Sequence, residues 1–191
     1  KKAKADYIAI VETDDYIAPN MYETLYRIVE KYNNLDYVKA DWKSVIAYNE
    51  KEFIFEKHLQ SEQSGIYNKE ICVSDYPQLY LCDVTVWRGI YRKKFLIDNK
   101  IWFNETQGAA FQDYGFSIMV NSYASKAYYL RDGLYFYRDE RIGSSSVNKN
   151  AVRFVWQEWN RLLGMGFFNR KHINGLYIYL RIAMAFWGEY R

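Results

Sequence analysis

Apolar and polar residues along the chain follow two periods, and the changes between them mark out the elements. Residues 7–11, Y-I-A-I-V, are an uninterrupted apolar run, the pattern of a short strand covered on both faces. Pro19 suits the first turn of a helix. Met21, Leu25, Ile28, Val29 and Tyr32 then recur on one helical face, and N-N-L-D at 33–36 ends the run. Residues 35–41 predict a second strand, and residues 44–57 a hairpin turning at 49–51.

Farther on, residues 61–75 are polar and fit no single element. Residues 86–103 embed a basic cluster (Arg88, Arg92, Lys93, Lys94) among apolar side chains. Residues 111–125 predict a helix, and residues 126–138 two short strands about an Asp132-Gly133 turn. A Gly-Ser loop follows at 143–146. From residue 151 onward Val152, Val155, Trp156, Trp159, Leu162 and Leu163 make a wide helical stripe. No internal repeat or low-complexity tract interrupts the order.

Composition narrows the function classes. The chain has 191 residues, half of them hydrophobic, enough for one domain with a core and a helical appendage. Its 20 Tyr, 11 Phe and 6 Trp are unusual; such aromatics fill cores and half-buried strands, and they also cover sugar faces or membrane-proximal surfaces. A net charge of +3 gives no footprint for nucleic acid. Cys72 and Cys82 fit no paired zinc spacing and lie far in sequence from His172, which suits two thiols in a reducing compartment and leaves a bridge between them open. No apolar run is long enough to span a bilayer.

The chemistry concentrates at residues 9–19, A-I-V-E-T-D-D-Y-I-A-P, where Glu12, Asp14 and Asp15 follow the first apolar run. A strand feeding an acidic turn and then a helix puts carboxylates at the carboxyl edge of a sheet, where ligands of open α/β folds bind. Carboxylates so close repel one another unless a cation lies between them. Mg2+ or Mn2+ fits, because these ions take oxygen ligands and keep positions free for substrate phosphates. Taken alone, the same string also describes a solvated turn with acidic residues favoured by the N-terminus of the following helix. An EF-hand does not fit: Ile17 stands where the loop needs glycine, and Pro19 falls inside it.

Three segments in order resemble family 2 glycosyltransferases. A-K-A-D-Y-I-A-I-V-E-T-D-D-Y-I-A-P-N-M-Y at 3–22 resembles the strand, D-x-D-D motif and Pro-bearing helix of that family. V-W-R-G-I-Y-R-K-K-F-L at 86–96, leading to F-Q-D-Y-G-F at 111–116, is similar to its acceptor-side half. Y-F-Y-R-D-E-R-I-G-S-S-S-V-N at 135–148 looks like the Y-Y-R-x-x-x-x-S-S-x-N segment that follows. The resemblance covers residues 5–150 or so.

The resemblance implies a GT-A fold, a Rossmann-like mixed sheet flanked by helices. It also implies Mn2+- or Mg2+-dependent transfer of a sugar, with inversion, from a nucleotide-diphosphate donor to a glycan or lipid-linked acceptor in bacterial cell-surface polysaccharide synthesis. Asp14 and Asp15 match the metal-binding positions. Glu12 matches the first Asp of the motif, near the donor ribose or the metal; its extra methylene moves the carboxylate by about 1 Å and makes direct ligation by Asp14 the better fit. Asp113 matches the catalytic base that takes the acceptor proton, although an Asp there also suits a helix N-terminus. Gln112 stands beside it where Glu is commoner, on the acceptor side. Arg138 with Ser144 and Ser145 matches a cover for the diphosphate, and equally describes a surface Arg beside a polar loop. Trp87 is a candidate platform for an acceptor sugar or a core residue.

On this reading residues 1–150 are the acceptor-side part of a GT-A domain, and residues 151–191 a C-terminal helical extension. The strand and turn V-S-I-I-I-P-x-Y-N and the D-D-x-S-x-D segment, which serve the donor's base and ribose in the family, have no counterpart here. The 191-residue piece alone is therefore expected to transfer little or no sugar. The extension, apolar nearly all round, fits peripheral contact with a membrane, a partner surface or ordinary packing. The expected setting is cytoplasmic, including the inner face of the membrane. Two alternatives stay open: a glycan-binding or assembly module that keeps the fold without turnover, favoured by Glu12, and a nucleotidyltransferase, which the Gln112-Asp113 pair does not support.

Overall fold

The computed structural model describes residues 3–105, 112–139, 151–166, 179–180 and 183–184. Its centre is a parallel pair of long strands, β3 (Tyr37–Tyr48) and β7 (Lys126–Arg138). Each carries two shorter strands end to end along its outer edge. On β3 these are β6 (Gly89–Arg92), beside residues 37–39, and β4 (Lys51–Lys57), beside residues 42–48. On β7 they are β5 (Glu70–Cys72) and β2 (Tyr16–Ile17). β1 (Tyr7–Ala9) pairs with β6 and completes a seven-stranded mixed sheet in which only β3 and β7 run parallel.

Helices pack on this sheet. α1 (Met21–Lys31) buries Met21 and Leu25 completely, with Ile28, Val29 and Tyr32 partly covered, the face its helical spacing predicts. It begins after Asn20, so Pro19 precedes the helix. α2 (Leu79–Cys82) and α3 (Lys93–Asp98) are short, while α4 (Gln112–Tyr123) is buried from Gly115 to Ser122. α5 (Ala151–Gly164) lies on α4 through Val155, Glu158 and Leu162; Trp156 and Leu163, counted in the predicted stripe, face outward.

Three expectations change. β1 is shorter than residues 7–11 and half-buried, since it stands at the end of the sheet path. The strand and hairpin expected at 35–57 share one twelve-residue strand, β3, and turn at Asn49 and Glu50, both with positive φ. The Asp132-Gly133 turn does not form: residues 126–138 are one strand, irregular where Ala40 faces Leu130 but Asp41 faces Gly133. A Cβ on Gly133 would meet Glu56 Oε2 at 2.5 Å and Lys43 Cγ at 3.0 Å, on the ion pair that crosses the bulge.

Behind the sheet lies a buried ionic cluster. Lys39 and Asp41 sit two apart on β3 and point to one side, towards Asp83 and Arg88. Asp83 accepts from Lys39 Nζ at 2.8 Å, Arg88 Nη2 at 2.8 Å and the Tyr129 hydroxyl at 2.6 Å. Tyr129 meets Tyr37, whose hydroxyl donates to Asn121 on α4, so the cluster fixes α4 to the central strands. Burial pushes the Asp83 carboxyl up, but the adjacent ammonium and guanidinium more than offset that and hold it below the ordinary carboxylate value. Both thiols are free, so the Cys72–Cys82 bridge left open by the sequence does not form.

Two outcomes follow for stability. Gly89 faces Lys39 in the ladder, and an added Cβ would lie 2.4 Å from the Val38 carbonyl oxygen. Gly89→Ala is expected to lower unfolding free energy in urea by about 1–3 kcal/mol. Asp83→Asn leaves buried Lys39 without its carboxylate and Arg88 with Asp41 at 3.8 Å, and is expected to lower it at pH 7 by about 3–5 kcal/mol. Because the folded pKa is depressed, the advantage of wild type is present above the unfolded value of about 3.9 and fades as pH falls through the folded value. Urea titrations at pH 7 and pH 3 check both the size and the sign.

Candidate acidic site at the sheet edge

The acidic residues occupy the turn between β1 and β2. The Asp15 N–H closes it onto the Glu12 carbonyl at 3.3 Å, so the chain reverses within four residues and groups the three carboxylates on one loop. Two-residue β2 then pairs with β7, Tyr16 opposite Phe136 and stacked on it at 4.6 Å.

Tyr135 holds the turn. Its hydroxyl donates to Asp15 Oδ2 at 2.9 Å and accepts the Glu12 backbone N–H at 3.1 Å. The other oxygen of Asp15 accepts the backbone N–H of Arg138 at 2.9 Å. Burial, reinforced by the carboxylates of Asp15 and Glu12, pushes the Tyr135 phenol far above its ordinary value, so it remains a proton donor. Burial also raises the Glu12 carboxyl, with Asp14 and Asp15 adding to the rise. Like charges are thus crowded in this loop without neutralising one another.

Trp87 backs the clamp. It is 8% exposed, stacks on Tyr135 at 4.3 Å and on Tyr137 at 5.3 Å, and meets Trp42 edge-on at 6.1 Å. Tyr135 and Tyr137 are two apart on β7 and so present the same face to the indole. Arg88, the buried cation behind, lies over Trp42 at 5.4 Å. The rigidity of the acidic turn therefore passes through an aromatic stack into the ionic cluster.

The expected site residues fall into three groups. Glu12, Asp15 and Arg138 come together directly, with Asp14 exposed on the same turn. The Arg138 guanidinium stands over the Tyr16 ring at 5.6 Å and 3.8 Å from Glu52. Gln112 and Asp113 open α4, half-buried, on a different element; Asp113 Oδ1 accepts the N–H of Tyr114 at 3.0 Å. Ser144 and Ser145 lie outside the described residues.

The donor set of the turn is all oxygen, which suits a hard divalent ion. Among the described residues no group of three or more His, Cys, Asp or Glu side chains converges as a chelating set. An ion on this turn would therefore depend on one or two carboxylates plus oxygens from its ligand. That mode is usual for Mg2+ beside phosphates.

Sequence reasoning gave Tyr135 no role, although it opens the 135–148 segment of the resemblance. It also missed the group around Asp41. That buried carboxylate accepts from Leu59 N–H and Tyr67 hydroxyl at 3.2 Å each, and lies 2.7 Å from His58 Nδ1. The available signal was three charged residues, Asp36, Lys39 and Asp41, within a seven-residue predicted strand, the last two at alternate positions.

No protein-family profile matches the chain, and no curated protein does. Solved structures of Staphylococcus aureus TarS do. The crystal structure of TarS 1–349 in complex with UDP-GlcNAc superposes with a TM-score of 0.59 at 17% identity, covering 85% of this chain and 44% of that one. TarS 1–349 in complex with UDP gives a TM-score of 0.53 at 18% identity, covering 82% and 41%. The chain spans less than half the length of these structures and shares with them a mixed α/β fold, a curled sheet flanked by helices.

Proposed function

We infer that the chain is part of a metal-dependent, inverting glycosyltransferase that moves a sugar from a nucleotide-diphosphate donor to a glycan or lipid-linked acceptor in bacterial cell-surface polysaccharide synthesis. The observation that carries the reading is the clamped turn: Glu12, Asp14 and Asp15 crowded at a sheet edge and pinned by Tyr135. The resemblance of three motifs to family 2 glycosyltransferases supports it. So does the fold shared with TarS, which has been solved with UDP-GlcNAc and with UDP.

In this reading Asp14, with Asp15 beside it, holds Mn2+ or Mg2+. The ion supplies positive charge where a departing diphosphate gains negative charge. Glu12 lies towards the donor, and Arg138 with Ser144 and Ser145 covers the phosphates. Asp15 accepts from Tyr135 and from the Arg138 backbone, so its part is to place the turn; Asp14, exposed and at the matching position of the family motif, is the principal ligand. Asp113, carried on a helix anchored at Asn121, Ser122 and Ser117, takes the acceptor proton from the face opposite the leaving group. Gln112 orients the acceptor. Trp87, enclosed by three aromatic rings, serves the site by backing Tyr135.

The extension from residue 151 brings the site to a lipid-linked acceptor through peripheral contact with the inner face of the membrane. No helix among the described residues is long and apolar enough to cross one. The alternative, a glycan-binding or assembly module without turnover, draws on Glu12 standing where the family has Asp.

Two outcomes test the reading. Mn2+ is expected to raise the melting temperature of the chain at pH 7 and to be required for calorimetric binding of a nucleoside diphosphate, with Asp14→Asn removing both effects. Equal shifts for wild type and Asp14→Asn would count against the metal site. Asp113→Asn, assayed where transfer is measurable, is expected to lower kcat by about 100-fold or more while leaving Mn2+-dependent nucleotide binding within twofold. Loss of binding together with turnover would assign Asp113 a structural part.

A further inference from the structure

Among the described residues, β4 is the one strand exposed along its whole length, all seven residues of K-E-F-I-F-E-K. Phe53, Ile54 and Phe55 are 46%, 50% and 49% exposed. Strand alternation puts the two phenylalanines on one face and Ile54 on the other, so both faces of this arm carry bare apolar surface. Its inner edge pairs with β3, and among the described residues no strand pairs with the outer one. A long apolar edge of this kind is a template for another strand.

We propose that β4 pairs antiparallel with β4 of a second copy of the chain, joining two sheets across a two-fold axis. Three observations carry this. First, the strand carries two Lys and two Glu around its apolar centre, so two copies meet with no net charge on either edge.

Second, the hairpin is closed by Tyr48 opposite Lys51 across a two-residue turn. Residues 51, 53, 55 and 57 then bond to β3, while Glu52, Ile54 and Glu56 turn their N–H and C=O groups outward. Third, charge selects the register. Centring the pair on Ile54 sets Glu52 against the partner's Glu56 and Lys51 against the partner's Lys57, which is repulsive. Centring it on Phe53 brings Glu56 against the partner's Glu50 at the turn. Centring it on Phe55 sets Phe55 against the partner's Phe55, Lys57 against the partner's Phe53 and Ile54 against the partner's Glu56. No like charges then face one another, and a ring pair lies flanked by cations.

The contact is a single strand pair, smaller than a standard interface, so the dimer is weak, with Kd in the range of about 1–100 µM. It is independent of the catalytic reading, since none of the three central residues belongs to the acidic site.

Sedimentation velocity between about 1 and 300 µM tests it. The 23.0 kDa chain is expected to shift from monomer to dimer across this range. Ile54→Pro removes an outward N–H and none bonded to β3, and is expected to weaken dimerisation at least tenfold; Ile54→Lys serves as a second variant should the proline disturb folding. In a Cys72→Ser background, Phe55→Cys is expected to cross-link the two copies under mild oxidation faster than Ile54→Cys, because that pair faces itself across the axis. A chain monomeric throughout, a dimer insensitive to both Ile54 variants, or faster cross-linking at Ile54 would overturn the proposal.

Discussion

One phenolic hydroxyl sets where the acidic turn stands. Tyr135 takes the backbone of Glu12 and the carboxylate of Asp15 on the same oxygen, and so fixes both ends of the turn to β7. Without that bond the turn would keep the two ladder pairs of β2 and the Arg138 N–H on Asp15, but Glu12 would lose its tie to β7, and three mutually repelling carboxylates would gain by separating. Tyr135 is itself immobile because it is fully buried and stacked on Trp87. Placement of charge at the rim is thus bought by aromatic packing beneath it.

The ionic cluster, reached from Tyr135 through Trp87 and Trp42, extends this logic. Asp83 has two cationic partners and a tyrosine, and Arg88 also bonds the Ala40 carbonyl and Thr85. Burying so many charges contributes little net stability compared with an apolar core, but it tolerates few alternative arrangements. It ties β3, the Asp83–Arg88 loop and α4 in one register, and α4 carries Asp113. The docking of α5 adds to this: a Cβ on Gly115 of α4 would lie 2.0 Å from the Glu158 carboxylate, so the two helices meet where only glycine fits. Elements that carry the candidate metal ligands and the candidate base are therefore held by groups that take no part in the chemistry.

Much of the fold was legible because it depends on periodicity. α1 follows from apolar spacing and a boundary signal, and the hairpin turn from Asn49 among polar neighbours; α4, buried on all sides from Gly115 to Ser122, was read as a helix without such a period. Where reading failed, long-range pairing decided. Asp132-Gly133 has the composition of a hairpin turn, yet β7 runs through it, paired to β3 on both sides of the irregularity, with the Lys43–Glu56 pair beside Gly133. Arg88 reads as one of a basic cluster with Arg92, Lys93 and Lys94 among apolar residues; what the sequence did not mark is that it is fully buried against Asp83. At the site, adjacent carboxylates made Glu12, Asp14 and Asp15 conspicuous. The role of Tyr135 was invisible, because it comes from a partner 120 residues away.

The central claim, that the clamped turn presents Asp14 to a divalent ion shared with a diphosphate, is tested most directly by crystals grown with Mn2+ and a nucleoside diphosphate. Anomalous difference maps should then place one ion about 2.1 Å from an Asp14 carboxylate oxygen, between it and the phosphates, with the Tyr135–Asp15 bond intact. An ion seated away from the turn, or nucleotide bound with no ion beside Asp14, would contradict it.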